Sequence, residues 1–168
     1  MSDSECAPSA QRTKPKLISA GAALALAREM FPDLSGDGVR LPPGAVSQAI
    51  RADQIETAMA FLKLLRPTKR TTIDSGTLKH HAEDWGSING LCPYVSRGAL
   101  VVAAIALGYP VRAYRYGADV AIGVSIGDLK EINKATLTAR IERRERARRR
   151  EIGEHDTVTS FSVDARRF

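Results

Sequence analysis

Apolar and polar positions alternate along this chain with a helical period for most of its length and a strand period in one place. Residues 19–31 place Leu and Ala at three- and four-residue spacing between Ser19 and Pro32. Ser is a favoured N-cap and Pro a helix stop, so a first helix is predicted there. Residues 32–44 hold three Pro and three Gly and predict a loop. A second helix is predicted over residues 45–65, with Ile50, Ile55, Met59, Leu62 and Leu65 as its apolar positions and Pro67 as its stop. Residues 66–72 form a short basic loop with Lys69 and Arg70. Asp74 or Ser75 then caps a third helix reaching about Trp85; Leu78, Ala82 and Trp85 share one face. Lys79 and Glu83 form an i,i+4 pair on the other side. After a turn at residues 86–93, Ser96 caps a fourth helix ending near Gly108. Leu100, Val101, Val102, Ile105 and Leu107, with Ala between them, make it apolar all round. Such a helix belongs in the centre of a domain.

The pattern changes at Pro110. Residues 111–115 and 120–125 are β-branched and aromatic, with Gly117 and Asp119 between them, and predict a β-hairpin. A last helix follows Ser125 and reaches about Arg150; Leu129, Ile132, Leu137 and Ile141 give it a sparse apolar stripe that ends there. Residues 151–168 read as a polar tail. The fold class implied is α+β: one mainly helical domain of about five helices with one hairpin. Helix, helix, hairpin is an order that resembles a winged helix. Residues 1–16 read as a disordered leader, 17–139 as the globular domain with the hairpin 111–125, and 140–168 as an arginine-rich extension and tail.

Composition narrows the class. The chain has 168 residues, 43% hydrophobic and 26% charged, which suits one globular domain and excludes a wholly disordered or collagen-like chain. Its two Cys, Cys6 and Cys92, cannot form a disulfide framework, and free thiols suit a reducing compartment. The run 98–108 is shorter than the roughly 20 apolar residues a membrane span needs, so no membrane partner is expected. Lys14 and Lys16 ahead of residues 17–27 imitate a secretory signal with Ala25-Leu26-Ala27 as cleavage site. Asp3 and Glu5 and the Ala/Gly content of the apolar stretch argue against export and for an amphipathic helix in a cytoplasmic protein.

Three motifs invite chemistry and have simpler readings. Gly123-Val124-Ser125-Ile126-Gly127 matches G-x-S-x-G, with His155 and Asp128 or Glu131 as possible partners of a hydrolase serine. That elbow needs preceding βαβ units, and the preceding segments here are helical. Ser125 with Asp128 instead reads as the S-x-x-D start of a helix. His80 and Asp84 stand one turn apart, with His81 and Cys92 near, but no C-x-x-C or H-E-x-x-H completes a zinc set. His81 falls near the Leu78/Trp85 face as a packed histidine, and Cys92 reads as a small buried residue. Gly36-Asp37-Gly38 lacks the third Gly and the preceding strand of a dinucleotide site and reads as a turn. No cofactor or metal is implied.

Charge supplies the leading functional reading. The net charge is +6, and residues 140–150 hold seven Arg against two Glu, which is +5 of it. Arg140, Arg143, Arg144, Arg146, Arg148, Arg149 and Arg150 face several directions around a helix, as in a projecting arm that follows a phosphate backbone. Glu142/Arg146 and Glu145/Arg149 also fit a merely solvated helix. If Val111, Ala113, Val120, Ile122 and Val124 face the core, then Arg112, Tyr114, Tyr116, Ala121, Gly123 and Ser125 face outward. Basic and aromatic groups beside small ones accept phosphates or stacked bases. Alternatively, the tyrosines cap the core edge. The fourth helix is too apolar to read a groove; only Ser96 and Arg97 at its start could approach phosphate.

Residues 78–86, LKHHAEDWG, followed by 94–100, YVSRGAL, and 108–111, GYPV, resemble the core of small uncharacterised proteins of proteobacterial plasmids and mobile elements. The resemblance covers roughly the middle third of the chain. It implies a bacterial, cytoplasmic protein and brings no site residues. The expectation is therefore a non-enzymatic nucleic-acid-binding or accessory protein, with DNA or RNA as partner. Arg140–Arg150 would supply affinity, and Arg97, Arg112 and Tyr114 secondary contacts. The alternative from another class is a protein-interaction module presenting the helix 45–65 or the tail; a small hydrolase comes third.

Overall fold

The computed structural model describes residues 18–40 and 47–161, with side chains described as far as residue 150. The leader at 1–16, the start of the second helix at 45–46, His155 and the final tail lie outside the described residues or side chains. Among the described residues there are five helices: α1 (Ala20–Met30), α2 (Ala52–Leu62), α3 (Ser75–Ile88), α4 (Arg97–Ala106) and α5 (Ile126–Phe161). They accompany three short strands, β1 (Ile73–Asp74), β2 (Val111–Ala113) and β3 (Val120–Ile122), which makes an α+β, mainly helical domain.

Local capping chemistry sets the helix starts. Ser19, Asp74, Ser96 and Ser125 each accept a backbone N–H from the third residue onward, satisfying one of the free amides of the first turn. The second helix starts later than its apolar period predicts. Residues 47–50 are not helical because they are strapped to the 35–38 turn: Gln48 N–H donates to the Asp37 carboxylate, and Gly36 N–H to the Gln48 carbonyl. The helix ends at Leu62, and i→i+3 bonds from Leu64 and Leu65 tighten the turn beyond it. Helix α3 runs through Gly86 to Ile88, further than Trp85, because Gly86 is buried against Thr57 and the Cys92 carbonyl.

Helix α4 is central, as its all-round apolarity implies. Every residue from Gly98 to Ile105 is buried, and α1, α2 and α3 all pack on it. Phe61, Leu62, Leu78, Leu100, Val101 and Ile122 are among the largest fully enclosed side chains around it. Gly98 allows the loop from α1 to cross its first turn. A Cβ there would stand 1.9 Å from the Ser35 carbonyl oxygen, and the Gly98 N–H donates to the Gly36 carbonyl at 3.1 Å. The crossing supplies a buried partner for an otherwise orphaned amide.

The sheet has one strand more than the expected hairpin. Strands β1 and β2 both pair antiparallel with β3, giving the order β1-β3-β2. Ile73, Ile122 and Val111 lie in register on the core side, and Asp74, Ala121 and Arg112 in register on the outer side. From α2 to β3 the sequence helix, strand, helix, helix, strand, strand, with β3 in the middle, is a winged-helix order. Because β3 is central, Ala121 and Gly123 are buried rather than open on the outer face. The segment after Arg66 covers Gly123 with the carbonyls of Thr68 and Arg70.

Helix α5 is 36 residues long, roughly 54 Å at 1.5 Å per residue. Among the described elements it packs only on α3. Its packed stripe is Leu129, Ile132 and Thr136, continued by Arg140. Leu137 and Ile141, expected on that stripe, are exposed. The face they would need is occupied by the polar side of α3, where Asp84 takes Arg140 instead.

Candidate nucleic-acid interface

The arginines of α5 divide by what holds them. Arg140 makes an ion pair with Asp84, and Arg143 donates to the Ser87 carbonyl at 3.4 Å, so both tie the arm to the end of α3. Arg146 pairs with Glu142 at 3.5 Å. Arg144, Arg148, Arg149 and Arg150 have no carboxylate partner among the described side chains, and residues 141–150 are exposed on every face. An Arg on each side of a helix beyond the end of its packing partner presents charge in all directions. Among the described side chains only Asp84 and Glu142 pair with arginines of this run.

Arg97 is partly exposed and paired within the domain. It stands at the first position of α4, with its Nε 3.1 Å from the Asp119 carboxylate, and Asp119 also accepts the Ser75 hydroxyl. The helix behind it is enclosed by α1 and α2, so α4 presents no side to a groove. The helix over residues 52–62 is also largely buried, with Ile55, Ala58, Met59, Phe61 and Leu62 in the core.

The outer face of the sheet gathers the remaining candidates. A cleft of about 360 Å³ lies there, lined by Thr71, Thr72, Arg112, Tyr114, Arg115 and Ala121 among others, with no carboxylate in its lining. Residues 68–72 leave the β3 edge and return to it: Thr68 N–H donates to the Gly123 carbonyl at 3.0 Å and Thr72 N–H to the Ile122 carbonyl at 2.9 Å. The bulge between these bonds exposes Lys69 and Arg70. Tyr114 is partly exposed and Tyr116 is 78% exposed, so the latter caps no core edge. The Arg115 guanidinium lies 5.3 Å from the Tyr116 ring centre, a cation–π distance. Arg112 and Tyr114 lie on this face, as strand alternation predicts. Arg115 joins it through the turn, and Lys69 and Arg70 are exposed on the neighbouring loop whose backbone crosses Gly123; strand alternation alone does not place them there.

The other motifs resolve into structural contacts. Ser125 Oγ accepts the Asp128 N–H at 3.3 Å, and the sheet ahead of it is antiparallel, unlike that of a nucleophile elbow. His80 lies 2.9 Å from Glu83 through Nδ1, while Asp84 turns to Arg140, so His80 and Asp84, one turn apart, do not meet. His81 is half-buried in a hollow between α3 and α5 beside Asn133 and Thr136. Burial lowers its pKa there, with Asp84 opposing. Cys92 is half-buried, and its thiol lies 3.1 Å from the Tyr94 carbonyl. Among the described residues no three His, Cys, Asp or Glu converge as a metal set, and no helix is long and apolar enough to cross a membrane. The Lys79–Glu83 pair forms at 3.0 Å, but largely buried, and Glu83 also accepts the Val95 N–H.

No protein-family model, curated protein or solved structure matches this chain.

Proposed function

We propose that the chain is a non-enzymatic nucleic-acid-binding accessory protein of the bacterial cytoplasm, and that the α5 arm supplies its affinity. One observation carries the reading. The arm outruns its packing partner where the sequence becomes Arg-rich, leaving residues 141–150 exposed all round with +5 concentrated in 140–150. Such an arm follows phosphates and reads no bases, in keeping with an α4 that is closed to the groove. Its binding should therefore be sequence-tolerant and steeply salt-dependent.

The test compares the full chain with a full-length Arg144→Gln/Arg148→Gln/Arg149→Gln variant. Gln keeps helix propensity and removes charge. Affinity for a random-sequence duplex is measured at several salt concentrations. Each lost phosphate contact should flatten the log–log slope by about 0.9. Equal affinity and slope in the two proteins would overturn the arm and put the protein-interaction reading ahead.

A further inference from the structure

The tip of the β2–β3 hairpin is unusually well braced for an exposed turn. Arg40 reaches it from the loop after α1, and its Nη1 donates to the carbonyls of Tyr114 and Arg115 at 2.9 and 3.1 Å. The Val39 N–H donates to the Ala118 carbonyl at 2.9 Å. Arg40 holds φ +55°, the single non-glycine positive φ among the described residues, and Gly38 holds φ +117° where a Cβ would strike the Ala118 carbonyl. Left-handed backbone at a residue with a side chain persists only where surrounding contacts fix it. Here those contacts fix the segment 114–118, which carries two exposed tyrosines and Arg115 beside a cleft whose lining holds Arg112 and no carboxylate.

Resting on the nucleic-acid reading, we propose that this tip and the cleft beside it form a binding platform for single-stranded nucleic acid, with Tyr114 and Tyr116 stacking unpaired bases. Lys69, Arg70 and Arg112 take the phosphates, and Arg40 acts as a positioning residue. Bases in a duplex keep their faces covered by their neighbours, so exposed tyrosine rings reward only an unpaired strand. Bracing the turn in advance removes part of the ordering cost of binding. The platform and the arm are separate surfaces, so single strands and duplexes should depend on different residues.

The experiment uses the full chain and an oligothymidylate of roughly ten nucleotides carrying one 2-aminopurine, within the usual span of a single-strand site. Stacking on tyrosine should quench the probe at saturation. Tyr116→Leu should lower single-strand affinity roughly five- to hundredfold and abolish the quench, while Tyr116→Phe retains both. Arg40→Gln should reduce the quench amplitude at saturation, a signal that a simple loss of stability would not move once the folded complex is saturated. Duplex affinity should stay unchanged in all three. Single-strand binding and quench equal to the native chain in Tyr116→Leu, with duplex affinity still lost in the triple Arg→Gln variant, would overturn the platform alone. Absence of binding to either nucleic acid by the native chain would overturn both readings.

Discussion

Arg66 and Asp128, 62 residues apart in the chain, meet in a two-pronged ion pair. The Arg66 guanidinium donates to Asp128 Oδ1 at 2.7 Å and Oδ2 at 2.9 Å, and the Arg66 backbone N–H adds a third bond at 2.9 Å. The pair ties the first turn of α5 to the loop after α2. The side-chain bond from Arg66 holds the Asp128 carboxyl well below the usual carboxylate range, helped by the backbone N–H and Ser125 and opposed by partial burial.

A depressed folded-state pKa stabilises above the ordinary Asp value, and the contribution is lost as pH falls through the depressed one. The native chain should therefore lose stability between about pH 4 and pH 2 more steeply than Asp128→Asn. At neutral pH the variant should melt at a lower temperature. Thermal melts across that pH range check both; parallel Tm curves would remove Asp128 from the acid response.

Ser125→Ala should cost about 1 kcal/mol, the usual worth of an N-cap. The Asp128 N–H loses its acceptor, and the helix start frays while the sheet is untouched. Denaturant unfolding should show a shifted midpoint and an unaltered slope. An unchanged midpoint together with loss of an esterase activity would reverse the assignment of this serine.

Tyr109 is buried, and its hydroxyl lies 2.5 Å from both the Leu62 and Leu65 carbonyls, closing the end of α2. Tyr109→Phe strands those acceptors and should cost about 1–3 kcal/mol. Burial pushes the phenol up to about 12, with the Asp128 charge adding to it. The folded state thus keeps the proton that the unfolded chain releases near pH 10. Stability from this group is complete below that value and is lost as pH rises from 10 towards 12. The alkaline fall in Tm should be shallower in Tyr109→Phe.

Gly98→Ala is the smallest substitution expected to damage the core. Its methyl would fall 1.9 Å from the Ser35 carbonyl oxygen, where backbone rather than a flexible side chain must yield. Overpacking of this kind costs about 1–3 kcal/mol. Chemical denaturation measures it. A variant as stable as the native chain would mean that the 35–38 loop moves freely off α4.

The sequence by itself determined features that arise within a few residues. The caps Ser19, Ser96 and Ser125, and the choice of Asp74 or Ser75, were legible because a cap is a bond from a side chain to an amide three residues on; the structure selects Asp74. The central place of α4 followed from apolar residues on all its faces, which leave it no side for water. The Arg-rich run was equally plain, as charge density needs no fold to be counted. Tertiary structure decided the rest. Two-residue β1 has no period to read, and it becomes a strand only because β3 offers an unpaired edge. That pairing buried Ala121 and Gly123, which alternation alone had turned outward. The stripe of α5 passed from Leu137 and Ile141 to Thr136 and Arg140 because α3 presents Asp84, not an apolar row. Arg40, 74 residues from the Tyr114 carbonyl it holds, gained its role solely from the way the loop after α1 crosses the hairpin tip. Such contacts depend on where distant segments meet in space, and local residue patterns do not encode that.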